Sequence, residues 1–216
     1  DVTKTTNWRD LVYRNGLSKD VAMSIRGGGD KIQYYFSYNY YDEEGTQIGY
    51  DLTRHLFKLR LDFDLMKYLS FGVNLSGTFE KNITANSDDD SMESYHPWVT
   101  PYNEDGTLKY NIKSWKNYTM DPTPLSNPLQ DNKYNNVTDL KNNLFCSFSA
   151  TLKPFKWLSF SSTNTLTLTN VNTNDYLDSR TYSGNHSRNE MSNGVLKVDD
   201  ERSWTFLTSN ILRLQH

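Results

Sequence analysis

The sequence holds a single cysteine, has few apolar residues and lacks any long apolar run. Cys146 stands alone among 216 residues, so no internal disulfide can form, and no local signature marks a catalytic thiol. We interpret it as a small packed side chain. Hydrophobic residues make up 36% of the chain, which is low for a packed globular core. No stretch approaches the ~20 apolar residues of a transmembrane helix, and no signal peptide begins the chain.

The chain also has no excess of charge of one sign, and it contains no catalytic motif. The 23 basic and 26 acidic residues give a formal net charge of -3, so nothing draws the chain toward nucleic acid. No G-x-S-x-G motif or phosphate-binding loop occurs. The histidines His55, His96, His186 and His216 are not spaced as metal ligands. We therefore predict neither an enzyme nor a cofactor.

One acidic run could bind a hard cation. Asp88, Asp89 and Asp90, with Glu93 nearby, offer the carboxylate oxygens that Ca²⁺ prefers. The glycine and the terminal glutamate of an EF-hand loop are missing. A solvated acidic loop is therefore the preferred interpretation, and a metal site stays open as the alternative.

The sequence does contain aromatic residues, at 14% of the chain, and they lie in segments that alternate with period two. In residues 52–65, Phe57, Leu59, Leu61 and Phe63 alternate with polar and charged residues. Such alternation is typical of strands with two unlike faces. Six further stretches alternate similarly: 20–27, 31–42, 69–80, 140–152, 157–169 and 202–214. We predict seven strands, several reaching the ~9–11 residues that a tilted strand needs to cross a bilayer.

The charged residues of 52–65 all lie on one face of the predicted strand. They are Arg54, Lys58, Arg60, Asp62 and Asp64. A Lys or Arg that faces lipid at the bilayer midplane costs roughly 2–4 kcal/mol, whereas one that faces a water-filled lumen costs little. We therefore predict that these five are lumen-facing and that their alternate neighbours contact hydrocarbon. The predicted fold is all-β, an antiparallel transmembrane β-barrel segment.

Short and long connections alternate along the chain. Tight turns are predicted at 27–30, 66–68 and 153–156, and long loops at about 81–139 and 170–201, with a medium loop at 43–51. Outer-membrane barrels have this pattern, with short periplasmic turns and long extracellular loops. Lys67-Tyr68-Leu69-Ser70-Phe71 recurs as Lys156-Trp157-Leu158-Ser159-Phe160. Tyr68 and Trp157 would then share the height of an interfacial aromatic girdle, unless the repeat is a coincidence between two hairpins.

Several motifs follow one another in an order that resembles a known family. They are Asn7-Trp8-Arg9-Asp10, Arg14-Asn15-Gly16, Ser24-Ile25-Arg26-Gly27-Gly28, Tyr34-Tyr35-Phe36-Ser37, Tyr40-Tyr41-Asp42-Glu43-Glu44-Gly45, 68–76, 101–108, Asn127-Pro128-Leu129 and 152–158. This run resembles the SusC/RagA family of TonB-dependent outer-membrane transporters of the Bacteroidota. Each motif is weak alone, and their order over nearly the whole chain carries the resemblance. Arg26 and Gly29 extend the family's usual S-G-G turn, and Glu43 stands where Gln is usual.

The resemblance implies that residues 1–216 are part of a barrel of about 22 strands closed by an N-terminal plug. About seven of those strands would lie here, while the plug domain and the TonB box would not. The implied function is import of a nutrient, most strongly an oligosaccharide, across the outer membrane of a Gram-negative bacterium. The implied partners are a SusD-like surface lipoprotein, TonB, outer-membrane lipid, and a second transporter–lipoprotein pair in a dimer.

The predicted long loop carries the candidate binding residues Tyr95, Trp98, Tyr102 and Trp115. Aromatic rings present flat apolar faces with polar tips, which suit sugar rings and protein partners alike. Contact with cargo and contact with the lid lipoprotein are both open. The alternative is that these rings pack the loop on itself or on the barrel rim.

Four rival functions remain open at this point. A peptide-importing RagA-like transporter shares the same barrel and differs in cargo. A secreted β-sandwich that binds carbohydrate explains the strands and aromatics but not the long loops at one end. A passive porin would lack the plug. A glycoside hydrolase would need a pair of carboxylates, which cannot be chosen from the sequence.

Overall fold

The computed structural model describes residues 5–85, 95–114, 123–186 and 193–215. The acidic run Asp88–Asp90, Glu93 and Trp115 lie outside these described residues. The elements in chain order are α1 (Trp8–Val12), β1 (Leu17–Gly28), β2 (Ile32–Glu44), β3 (Asp51–Met66), β4 (Leu69–Ala85), β5 (Asn111–Ser114), β6 (Thr123–Ser126), α2 (Pro128–Tyr134), β7 (Asn136–Phe155), β8 (Leu158–Leu177), α3 (Tyr182–His186) and β9 (Val195–Leu214). Within this described part of the chain, no helix is both long and apolar enough to pass through a membrane.

The seven predicted strands form one antiparallel sheet in the order β1-β2-β3-β4-β7-β8-β9, and β5 and β6 form a separate pair. The predicted all-β antiparallel fold is thereby confirmed. Tight turns join β1–β2, β3–β4 and β7–β8 at one end of the strands, which we call the turn end. The longer connections β2–β3, β4–β7 and β8–β9 lie at the opposite end of the strands, which we call the loop end.

Several strands are longer than their alternation predicts. Strands β7, β8 and β9 each contain 20 residues. In the last part of β8, 170–177, Asn170, Asn172 and Asn174 occupy the row that is apolar in the preceding residues, so the apolar period stops although the backbone stays paired with β7 and β9. The connections at the loop end therefore cover 86–135 and 178–194 and are shorter than the sequence predicts.

The large sheet is a single layer without a core of its own. Among the described residues, the buried apolar side chains are Trp8, Val12, Ala85, Tyr95 and Ile112. All five belong to the loop end or to segments packed there. Phe57, Leu59, Leu61 and Phe63 are partly exposed and are not enclosed in a dry interior. A soluble sandwich would need a second sheet over this face, and the described residues form none.

The strand register makes each face continuous across the sheet. One row of directly paired residues is apolar on all seven strands: Ile25, Phe36, Leu59, Leu75, Cys146, Leu166 and Phe206. The next row points to the other face and is polar on six of them: Arg26, Tyr35, Arg60, Asn74, Ser147 and Thr165. Because successive side chains of a strand point to opposite faces, this register yields one apolar face and one polar face.

The first turn differs in detail from its prediction. Strand β1 continues through Gly27 and Gly28, and the chain reverses at residues 29–31. Gly28 has φ 153°, and a Cβ there would lie 2.4 Å from the carbonyl oxygen of Ile32, so only glycine fits. At Gly27 a Cβ would instead meet the Tyr34 ring. The glycines therefore shape the end of β1 and its close approach to β2.

Candidate functional site

The polar face of the sheet carries the five residues predicted to be lumen-facing. Arg54, Lys58, Arg60, Asp62 and Asp64 occupy alternate positions of β3, so their side chains share one face. Arg60 Nε donates to Asp62 Oδ2 at 2.7 Å, and the Arg54 guanidinium lies 5.2 Å from the centroid of the Tyr41 ring. Arg54, Arg60 and Asp62 therefore have partners on the same polar face. That this face lines a lumen stays a prediction.

A packed assembly of helices and short strands covers the loop end, and sequence reasoning did not predict it. Trp8 of α1 stacks on Tyr95 with ring centroids 4.7 Å apart, and both belong to one buried apolar cluster with Ile112. Trp8 Nε1 donates to the His96 carbonyl at 3.1 Å, and the Tyr95 hydroxyl donates to the Ser126 carbonyl at 2.8 Å. These contacts join residues far apart in the chain, which is why no local pattern reveals them.

Asn127 is the polar centre of this assembly. It is fully buried, and its Nδ2 donates to the carbonyls of Pro101 and Lys109 at 2.9 and 2.8 Å. Its Oδ1 accepts from the Leu129 amide at 3.2 Å, so it also caps α2. The Asn127-Pro128 pair is a recognisable helix-start signal, and it could have predicted α2.

A second polar cluster fixes the connection between β8 and β9. Asp178 is 5% exposed and accepts hydrogen bonds from the Arg180 amide, Nε and Nη2. The Arg180 guanidinium also lies 4.1 Å from the Tyr134 ring centroid, which ties this connection to α2. Hydrogen bonds from Arg180, its positive charge and the Tyr176 hydroxyl together hold the pKa of Asp178 well below its usual value. Asp178 is therefore an anionic anchor of the loop end.

Of the three predicted binding aromatics that the structure describes, one is buried and two are exposed. Tyr95 is only 7% exposed, so the structure gives it a packing role. Trp98 is 59% exposed and stacks on His96 at 4.4 Å, and Tyr102 is 40% exposed in the hairpin around the Tyr102–Leu108 bridge. The structure brings Trp98 and Tyr102 to the surface of the same segment. We call these two residues the loop-end aromatics.

The two histidines whose side chains the structure describes, His55 and His96, pack against aromatic rings. The side chain of His55 contacts Tyr38, whose hydroxyl lies 2.7 Å from His55 Nδ1, and also Tyr40. His96 stacks on Trp98. Within the residues that the structure describes, no group of three or more His, Cys, Asp or Glu could hold a metal ion.

Comparisons with known proteins agree with this geometry. TonB-dependent receptor P39 of Formosa agariphila is 32% identical over 72 residues, covering 33% of this chain and 7% of the receptor. TonB-dependent receptor P26 of the same organism is 26% identical over 153 residues, covering 70% of the chain and 15% of the receptor. TonB-dependent receptor SusC of Bacteroides thetaiotaomicron is 27% identical over 144 residues, covering 59% of the chain and 14% of SusC. No protein-family model matches the chain.

Solved structures give the same result for the fold. The sheet resembles a part of the RagAB peptide importer in its closed-closed state, with a TM-score of 0.74 at 17% identity. The match covers 98% of this chain and 24% of the solved chain. The chain therefore spans only a small share of the length of the proteins that it matches.

The sheet is a single antiparallel layer with two unlike faces, and its longer connections lie together at one end of the strands. This architecture is that of one sector of a β-barrel wall. The predicted resemblance to named TonB-dependent receptors is confirmed by sequence, and that to RagA is confirmed by fold. In sequence and in fold, the chain therefore resembles a segment of a SusC/RagA-like protein.

Proposed function

We propose that this segment forms part of the wall of a Gram-negative outer-membrane barrel that imports a nutrient with energy from TonB. The observation that carries the proposal is one antiparallel sheet with a continuous apolar face and a charged face, neither of them covered by another layer among the described residues. The apolar face would contact hydrocarbon, and the charged face would line the lumen. The relatives' name, TonB-dependent receptor, favours energised import over a passive porin.

The orientation of the two faces can be tested with the natural cysteine. Cys146 lies in the apolar row, and Ser147 beside it lies in the polar row. In the full-length protein with any other cysteine replaced by serine, we expect Cys146 to resist a charged, water-soluble maleimide, because a charged reagent does not enter hydrocarbon. The matched variant Cys146→Ser with Ser147→Cys should react at least about tenfold faster. Equal labelling of both proteins in intact outer membranes would refute the orientation.

The proposed cargo is an oligosaccharide. The loop-end aromatics Trp98 and Tyr102 expose flat rings of the kind that stack on sugar rings. A peptide is the second candidate, because the solved structures that share this fold belong to a peptide importer. Mass spectrometry of ligands that co-purify with the full-length protein would distinguish them. Hexose-spaced masses would support the first candidate, and amino-acid-spaced masses would support the second.

The proposed partner is a SusD-like surface lipoprotein that closes over the loop end. We expect the double variant Trp98→Ala, Tyr102→Ala to weaken either lipoprotein co-purification or cargo binding about tenfold or more, as removal of interface aromatics does. Trp204→Ala is the control, because that indole is also exposed but lies on the apolar face. If the double variant retains both interactions, the loop-end aromatics contact neither partner.

A further inference from the structure

A cationic cleft lies at the turn end of the sheet, away from the loop-end aromatics. The β3–β4 turn, the β7–β8 turn and the end of β9 border a cleft of about 530 Å³. Four basic residues line it: Lys67, Lys153, Lys156 and Arg213. None of the described lining residues is acidic, and none of the four cations forms an ion pair with a described carboxylate. The cleft therefore concentrates positive charge that the described residues do not neutralise.

Backbone hydrogen bonds hold the walls of this cleft together. The Lys153 amide donates to the Tyr68 carbonyl at 2.7 Å, and the Gln215 amide donates to the Trp157 carbonyl at 2.8 Å. These bonds join the two turns to each other and the second turn to the end of β9. The backbone segments that carry the four basic residues are therefore held together by the sheet itself. Arg213, which pairs with Ser159, lies in a polar row, whereas the three lysines lie in or beside the two turns.

The cleft also has an apolar border. Phe155 and Trp157 stack with ring centroids 5.4 Å apart and planes within 3°, and Trp157 is 53% exposed. Leu158 lines the cleft and pairs with Leu214, and the next pair of the apolar face is Phe160 and Leu212. A ligand that fits both features has an anionic head and an apolar body. Free phosphate would use only the cations.

The neighbouring cleft shows that this charge pattern is local. It lies beside the β1–β2 turn and is lined by Asp30, Asp62 and Asp64 together with Lys31 and Arg60. Its charges are mixed, and Arg60 already pairs with Asp62. The uncompensated positive charge therefore belongs to the β3–β4 and β7–β8 turns and is not a general property of the turn end.

We infer that the cationic cleft binds the phosphate headgroup of an anionic phospholipid whose acyl chains lie along the adjoining apolar face. This inference rests on the proposed function, because a barrel with its long loops outside places the turn end in the phospholipid leaflet that faces the periplasm. Lysine and arginine near a membrane surface attract anionic headgroups, and exposed aromatic rings at the same depth anchor the interface.

The test uses the full-length protein in detergent and measures retained lipid by native mass spectrometry. The probes are phosphatidylglycerol, phosphatidylethanolamine and inorganic phosphate. We expect selective retention of phosphatidylglycerol, and the triple variant Lys67→Gln, Lys153→Gln, Lys156→Gln should weaken it by about fivefold for each lysine removed. The matched control, Lys19→Gln, Lys81→Gln, Lys141→Gln, changes the net charge equally but lies nearer the loop end. It should leave retention unchanged.

Photo-crosslinking of a phosphatidylglycerol analogue to the unaltered protein gives a readout that does not depend on the folding of the variants. Crosslinks to peptides that contain Phe155 and Trp157 would support the inference. Equal retention of phosphatidylethanolamine, equal loss in both triple variants, or displacement of the lipid by inorganic phosphate would overturn it. If the protein is recovered without detergent, the outer-membrane assignment itself fails. If it needs detergent but holds lipid without preference, only the lipid inference fails.

Discussion

At the scale of single residues, Asp178 combines a negative charge with near-complete burial. Its carboxylate accepts from Arg180 and from the Tyr176 hydroxyl, and these bonds lower its pKa. A carboxylate whose pKa is lowered by folding stabilises the folded state at any pH above its unfolded pKa. That stabilisation begins to decrease as the pH falls below the unfolded pKa and is fully lost only once the pH is below the lower, folded value. The loop end should therefore keep constant stability from neutral pH down to the ordinary aspartate range and weaken below about pH 4.

The variant Asp178→Asn tests this argument. The amide keeps the shape but loses the charge, so hydrogen exchange at residues 178–184 should be about tenfold faster at neutral pH and should depend less on acid. Asp199→Asn is the control, because its pairing with Lys197 joins two well-exposed side chains and contributes little. Faster exchange of the same size in both variants would show that Asp178 is not an anchor.

At the scale of elements, helix α3 depends on a glycine that no side chain can replace. A Cβ on Gly184 would lie 2.0 Å from the Asp178 carbonyl oxygen, and the Gly184 amide is held by Thr181 Oγ1 at 3.0 Å. We expect Gly184→Ala to displace α3 and to destabilise the loop end by about 1–3 kcal/mol, as overpacking does. Limited proteolysis between β8 and β9 in the full-length protein would detect the change.

The matched control is Gly29→Ala in the β1–β2 turn. A Cβ at Gly29 would meet nothing within 4 Å, and its φ is not in the left-handed region. Alanine should therefore be tolerated there, and a small stabilisation is expected from the reduced freedom of the unfolded chain. Should both variants resist proteolysis equally, α3 would not depend on the close approach of Gly184 to Asp178.

The same elements show what the sequence could predict and why. All seven strands of the sheet were predictable, because alternation with period two is local and is imposed by two unlike surroundings. The charged row from Arg54 to Asp64 was predictable for the same reason. Helix α1 was not, because five residues are too few for the helical spacing of Trp8, Leu11 and Val12 to identify a helix. This helix is stabilised by the contact between Trp8 and the distant Tyr95. Residues 170–177 were not predicted as strand because asparagines replace the apolar row there, and pairing with the neighbouring strands holds the backbone extended.

At the scale of the whole molecule, the part of the chain that the structure describes leaves the sheet with two open edges and one uncovered apolar face. Within that part, strands β1 and β9 each pair with one neighbour only, so one side of each carries backbone groups that no described strand pairs. The exposed apolar side chains of these edges include Met23, Ile25, Trp204 and Leu212. An edge of this kind readily pairs with other chains, and in lipid an unpaired backbone group costs several kcal/mol. Closure into a barrel with further strands removes both penalties.

Residues 1–216 expressed by themselves should therefore not form a stable monomer in plain buffer. We expect aggregates, or recovery only in detergent, because single-layer sheets with an open apolar face bury too little surface to offset the entropy of folding. Size-exclusion chromatography with light scattering checks the mass, and circular dichroism checks the strand content. The full-length protein in detergent is the control and should be monodisperse. A folded, monomeric 216-residue chain in buffer would mean that some surface other than lipid and further strands satisfies the edges and the apolar face.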